Sequence, residues 1–341
     1  MRTPAAIRHQ EINAGRLPGL FLKQFQMSNI KKGETVALLS DVTTRTEYVE
    51  AAFAAADELG ADCYEMRVNM IPSWTKVGVD TIGQINGMLD ALKAADVVFL
   101  PVTLAIAHTR AVREAIGEGA RVLSMTAFTE GMMESGGLFT DFAARKPTCL
   151  ALAQRLTKGS TLRVTNPAGT DLTMSLEGVT GNSHACLLDG PGFSAVPNIE
   201  ANCSPTQESG EGVFVCDGSI PYYDVGVTRE PVTFRISEGF VTSIEGGEQA
   251  HFLDELLTAQ EDRWVYNLAQ FAFGLNLDCT DFTGEMLNDE GVNGTVHIGV
   301  GTSANLGGPV SAKTHFDAIC RDPTVWIDDE VVVRDGEVLI G

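Results

Sequence analysis

The first ~150 residues alternate short apolar runs with stretches of helical spacing, and this alternation constrains the fold more than any other feature. The run 35–40 (TVALLS) reads as a strand, 44–59 as a helix closed by Gly60, and 63–68 as a second strand. A helix over 82–95, a strand over 97–101, a helix over 109–117 with Gly119 beyond it, and a strand over 121–125 follow. The run 97–101 (VVFLP) is continuously apolar, as in a strand covered on both faces. Strand–helix alternation of this kind predicts a parallel sheet flanked by helices. Neither GxGxxG nor GxxxxGK[ST] occurs in it, so neither a dinucleotide nor a P-loop nucleotide is indicated.

A helix over 142–156 leads out of this half, and from Thr161 the texture changes. Short strand-like runs at 162–164, 171–176, 212–217, 232–236 and 240–244 are separated by turn signals such as NPAGTD and CDGS. Helices are expected over 248–259 and 264–273, and strands over 295–301 and 324–333, the latter ending in the turn RDGE. The 35 glycines exceed the roughly 24 that an average share of ~7% would give, and they concentrate in this half. At 341 residues two domains are expected: 1–158, an α/β open-sheet domain, and 159–341, a mixed, largely antiparallel α+β domain.

Charge narrows the partners. With 24 basic and 45 acidic residues the formal net charge is -21, which repels phosphate backbones and anionic lipid surfaces, so neither nucleic acid nor membrane is expected. The N-terminal stretch lacks the apolar core of a signal peptide, and the longest apolar run, 97–102, is too short to cross a bilayer. Seven cysteines without a CxxC spacing point to reduced thiols in the cytoplasm.

Of six histidines, two lie within 18 residues of each other in glycine-rich sequence. In KTHFDAI a strand would place His315 and Asp317 on one face, because side chains alternate with period two. An imidazole beside a carboxylate suits a divalent metal such as Zn, Mn, Co or Fe. The same spacing also serves a purely structural pair. His297, in GTVHIGVG, falls on another expected strand, and with Glu200 of PNIEANCSP would complete an oxygen and nitrogen donor set. As ordinary side chains, His297 would be a hydrogen-bonded interior histidine and Glu200 a solvated loop carboxylate.

The runs LAIAHTRAVREAIGEGARVLSM (104–125), GTDLTMSL (169–176), ISEGFVTSIEGGEQAHFL (236–253), AQFAFGLN (269–276) and TVHIGVGTSANLGGPVSAKTHFD (295–317) resemble one superfamily in its own order. It contains the aminopeptidase T metallopeptidases and the iron-dependent 2,5-dihydroxypyridine dioxygenases. The peptidase pattern of Glu, Glu, His, His and Asp falls on Glu200, Gln270, His297, His315 and Asp317, with glutamine at the second position. No tyrosine stands between His297 and His315, where the peptidases carry one. The dioxygenase pattern of His, His and Asp falls on Gln270, His315 and Asp317, and that family's acid–base histidine falls on His108. The resemblance implies a metal site in the C-terminal domain and a homodimer.

The resemblance leaves three functions. The first is a hydrolase resembling aminopeptidase T, cleaving a small peptide, amide or cyclic amide with one metal-activated water and His108 or Glu200 as general base. The second is an Fe(II)-dependent dioxygenase that opens a hydroxylated N-heterocycle such as 2,5-dihydroxypyridine. The third is a metal-free binding protein. Four matches in five against two in three favour the hydrolase.

Overall fold

The computed structural model describes residues 4–69, 82–83, 85–103, 106, 109–129, 131–133, 136–304 and 306–340. The chain divides into two compact units that are not contiguous in sequence. One comprises residues 1–138 with 186–197, the other 139–185 with 198–341. The sequence expectation cut the chain at 158/159. Instead the helix Phe142–Lys158 belongs to the second unit, and the strand Gly192–Ala195 returns to the first.

The first unit is built on the expected parallel sheet. Its strands run in the order Asp62–Val68, Thr35–Asp41, Val97–Leu100, Arg121–Ser124 and Gly192–Ala195, every pairing parallel. Val97–Leu100 is buried at every position. One face, with Ala37, Leu39, Val98, Leu100 and Val122, packs against Leu92, Ala111, Val112 and Ala115 of the following helices. On Phe99, Phe21 and Phe25 of the helix Pro4–Met27 make edge-on ring contacts with centroids 5.3 and 5.2 Å apart. The expected helix over 82–95 is shorter, Met88–Lys93, entered through Gly87 at φ 79°.

At the carboxyl end of Thr35–Asp41, the Asp41 carboxylate accepts from the backbone N–H of Thr43, Thr44 and Thr103 at 2.8, 3.1 and 2.7 Å. It thereby ties the two central strand ends together. Burial opposes its charge, but the bonds from Thr43 and Thr103 outweigh this and hold its pKa below the usual value.

The second unit contains two antiparallel sheets. The eight-stranded one runs Phe240–Glu245, Val232–Ser237, Glu211–Cys216, Asp171–Ser175, Thr161–Thr165, Thr324–Ile327, Glu330–Arg334 and Glu337–Val338. The seven-stranded one runs Gly226–Val227, Ser219–Ile220, His315–Cys320, Val296–Gly301, Leu268–Gly274, Glu200–Cys203 and Asn182–His184. Its three central strands are buried at every position. The helix expected over 264–273 is a short 3-10 turn, Arg263–Tyr266, followed by the strand Leu268–Gly274. A strand covered on both faces loses its alternation, so its apolar run fits either period. All seven cysteines are free, and among the described residues no helix is long and apolar enough to cross a membrane.

Candidate active site

Strand register gathers the polar residues. Directly opposed residues of antiparallel strands share a face, as do residues two apart along a strand. Gly299 opposes both Asp317 and Gln270, Gly301 opposes His315, Ala272 opposes His297, and Gly274 opposes Glu200. Glu200, Gln270, His297, His315 and Asp317 therefore lie on one face of the seven-stranded sheet. All five residues are buried, none with more than 7% of its surface exposed. Gly299 sits in their midst. A Cβ there would come within 2.7 Å of Gln270 Cβ and 2.9 Å of both Asp317 Oδ1 and His315 Cε1. The residue must be glycine for the side chains to converge.

The side chains form two pairs. His315 Nε2 is 3.5 Å from Asp317 Oδ1, and His297 Nε2 is 3.4 Å from Glu200 Oε2. Both separations exceed those of ordinary N–H···O bonds, about 2.7–3.2 Å. Gln270 Nε2 lies 3.3 Å from His297 Nε2. Among the described residues, no three His, Cys, Asp or Glu side chains close into a ready-formed metal cluster.

Each carboxylate is tethered at one oxygen only. Asn202 Nδ2 donates to Glu200 Oε1 at 2.5 Å, and Tyr222 donates to Asp317 Oδ2 at 2.9 Å. The other oxygens, Glu200 Oε2 and Asp317 Oδ1, are buried and accept no hydrogen bond, and His297 Nδ1 is likewise unpartnered. His315 Nδ1 lies 2.8 Å from the Thr302 carbonyl, which can only accept. Nδ1 therefore carries the proton and Nε2 is the atom turned toward Asp317.

Electrostatics follow this arrangement. Burial alone would lower the pKa of His297 and His315. The facing Glu200 carboxylate and the charge of Asp317 raise His297 above the usual value, and the adjacent Asp317 carboxylate raises His315. Burial would raise both carboxylates. The imidazole of His315 beside it holds Asp317 well below the usual range, and the facing imidazole of His297 lowers Glu200.

Two neighbours were not legible in the sequence. Tyr222 Oη is also 2.8 Å from Glu290 Oε1, and Asn198 Nδ2 donates to Glu290 Oε2 at 3.0 Å. Burial, then the charges of Asp317 and Glu200, push the Glu290 carboxyl well above its usual pKa. Tyr222 stands in SIPYYDVG, and Glu290 in LNDEGVNG reads as a surface turn. His108 lies outside the described residues.

A sequence model of the 2,5-dihydroxypyridine 5,6-dioxygenase family matches residues 16–340. The chain belongs to that family. A 2,5-dihydroxypyridine 5,6-dioxygenase of Pseudomonas putida KT2440 is 25% identical, over 96% of this chain and 97% of that protein. The solved structure of 2,5-dihydroxypyridine dioxygenase from the same strain is similar at a TM-score of 0.84 and 24% identity, covering 96% and 97% of the two chains. Wild-type AmpT from Thermus thermophilus is similar at 0.69 and 16%, covering 95% and 99%. The family match overturns the hydrolase expectation, because the aminopeptidase shares the fold at a distance while the dioxygenase matches in sequence over nearly the whole chain.

Proposed function

We propose that this protein is a metal-dependent ring-cleaving dioxygenase acting on a hydroxylated N-heterocycle of the 2,5-dihydroxypyridine kind. The observation that carries the reading is the family match over residues 16–340, on a chain whose buried polar face leaves two carboxylate oxygens unpartnered. A buried, unsatisfied carboxylate oxygen costs about 1–3 kcal/mol or more, a penalty that a cation would remove. Two ligand atoms each about 2.0–2.2 Å from one ion can stand 3.5 Å apart, as His315 Nε2 and Asp317 Oδ1 do.

The donor set fits one divalent ion. His315 and Asp317 would hold it, with His297, Glu200 and the amide oxygen of Gln270 completing its surroundings. Iron(II) is the metal this reading favours over Zn, Mn or Co. Such an ion, when bound, polarises the oxygen substituents of a substrate and supplies the one-electron chemistry that O2 requires.

The chain's own residues orient and move protons. Thr302 fixes the His315 ring through Nδ1, and Tyr222 fixes Asp317 through Oδ2. Glu200 Oε2, facing His297 Nε2, can take the proton of a ring hydroxyl, and His297 can hold it at Nε2. Gly299 leaves the space in front of the donors free of a side chain. His108 remains the proposed second acid–base group. A homodimer in the cytoplasm completes the reading, a setting supported by seven unpaired thiols. Anaerobic loading with ferrous ion followed by addition of 2,5-dihydroxypyridine and O2 tests it: O2 uptake with loss of the ring's absorption supports it, and no uptake with this or related hydroxylated N-heterocycles contradicts it.

A further inference from the structure

Tyr222 and Tyr223 are consecutive, yet both reach the strand that carries the donors. Tyr222 Oη donates to the side chain of Asp317, and Tyr223 Oη donates to the backbone carbonyl of His315 at 3.1 Å. Successive residues of an extended chain point to opposite faces. Here Tyr223 and Asp224 adopt φ of 55° and 62°, in the left-handed region that bulky residues seldom occupy. That turn is closed by Val225 N–H donating to the Tyr222 carbonyl at 3.0 Å, and the two rings lie with centroids 6.1 Å apart. Backbone held in so unfavourable a conformation persists where the surroundings enforce it, and such positions cluster at functional sites.

Behind Tyr222 stands Glu290. Its carboxyl is buried, anchored by Asn198 at one oxygen and in contact with the phenol at the other. The line Asn198–Glu290–Tyr222–Asp317 brings together four side chains from separated parts of the chain. It reaches only Oδ2 of Asp317, leaving Oδ1 unbonded on the side of His315.

We infer that Tyr222 and Glu290 are positioning residues that hold Asp317 by Oδ2, so that Oδ1 is the single carboxylate atom presented to the ion. The inference rests on the reading of His315 and Asp317 as metal ligands. Groups that hydrogen-bond ligating side chains from behind commonly alter metal affinity by roughly 10–100-fold when removed.

The test is a titration of the metal-free, full-length protein with cobaltous ion, followed by its visible absorption, which reports the donors around the ion. Tyr222→Phe removes one hydroxyl and is expected to weaken binding by roughly 10–100-fold and alter the absorption bands. Glu290→Ala is expected to weaken binding as well. Glu290→Gln, which keeps an acceptor for Asn198 and an N–H toward the phenol, is expected to restore it. Thermal melting of each variant checks that the fold is retained. Parent-like affinity in Tyr222→Phe, with binding abolished in Asp317→Ala, overturns the positioning role alone. Equal weakness of Glu290→Gln and Glu290→Ala overturns the relay through Glu290. Parent-like affinity in both Asp317→Ala and His315→Ala overturns the ligand reading and this inference with it.

Discussion

Gly299 and Asp317 face each other in the register of the strands Val296–Gly301 and His315–Cys320, and a Cβ on Gly299 would lie 2.9 Å from Asp317 Oδ1. The glycine makes room for the carboxylate oxygen that lacks a partner. Gln270 Cβ and His315 Cε1 would lie as close, at 2.7 and 2.9 Å.

Gly299→Ala should therefore damage the donor set more than the fold. Overpacking of this kind costs about 1–3 kcal/mol, small enough for the sheet to survive. Cobaltous ion titration should show weakened binding beside a modest loss in denaturant stability. Parent-like metal affinity would show that the space at Gly299 has no bearing on the donors.

Gln270 presents a neutral amide where an imidazole or carboxylate would bind a cation more strongly. Gln270→His places a second ring nitrogen beside His297 on the same buried face. We expect cation affinity to rise by about tenfold, the lower end of the range over which support of a metal site acts. Unchanged or weaker affinity would remove Gln270 from the ion's surroundings.

Asp41 gives the first unit a defined acid limb. Its folded pKa is depressed, so the stability it contributes is present above the unfolded value of about 3.9 and is lost as pH falls through the lower folded value. Asp41→Asn should cost about 1–3 kcal/mol at pH 7, because buried N–H donors lose their carboxylate. The difference from the parent should shrink below about pH 4. Denaturant unfolding at several pH values measures this, and a difference independent of pH would contradict it.

Much of the fold was legible because it rests on local periodicity. The parallel strands announce themselves as apolar runs between helical stretches, and the shared face of His315 and Asp317 follows from period two alone. The helix Pro4–Met27 is hard to read from the sequence, since Gly15, Pro18 and Gly19 interrupt its pattern. The strand Leu268–Gly274 has the pattern of a helix in the sequence because burial on both faces erases alternation. Tyr222 and Glu290 lie 95 and 27 residues from Asp317 in sequence. Nothing in the spacing of either signals the contact; the pairing of Ser219 with Ile319 creates the approach of Tyr222. The choice between hydrolase and dioxygenase was beyond the ligand pattern, because one glutamine departs from both.

The most direct test of the central claim is the origin of the oxygen in the product. Protein loaded anaerobically with ferrous ion is mixed with 2,5-dihydroxypyridine and isotopically labelled O2, and the ring-opened product is weighed by mass spectrometry. The expected result is one O2 consumed per ring opened, both labelled atoms in the product, and no turnover in His315→Ala or Asp317→Ala. Product oxygen drawn from water, or turnover that proceeds without O2, would contradict it.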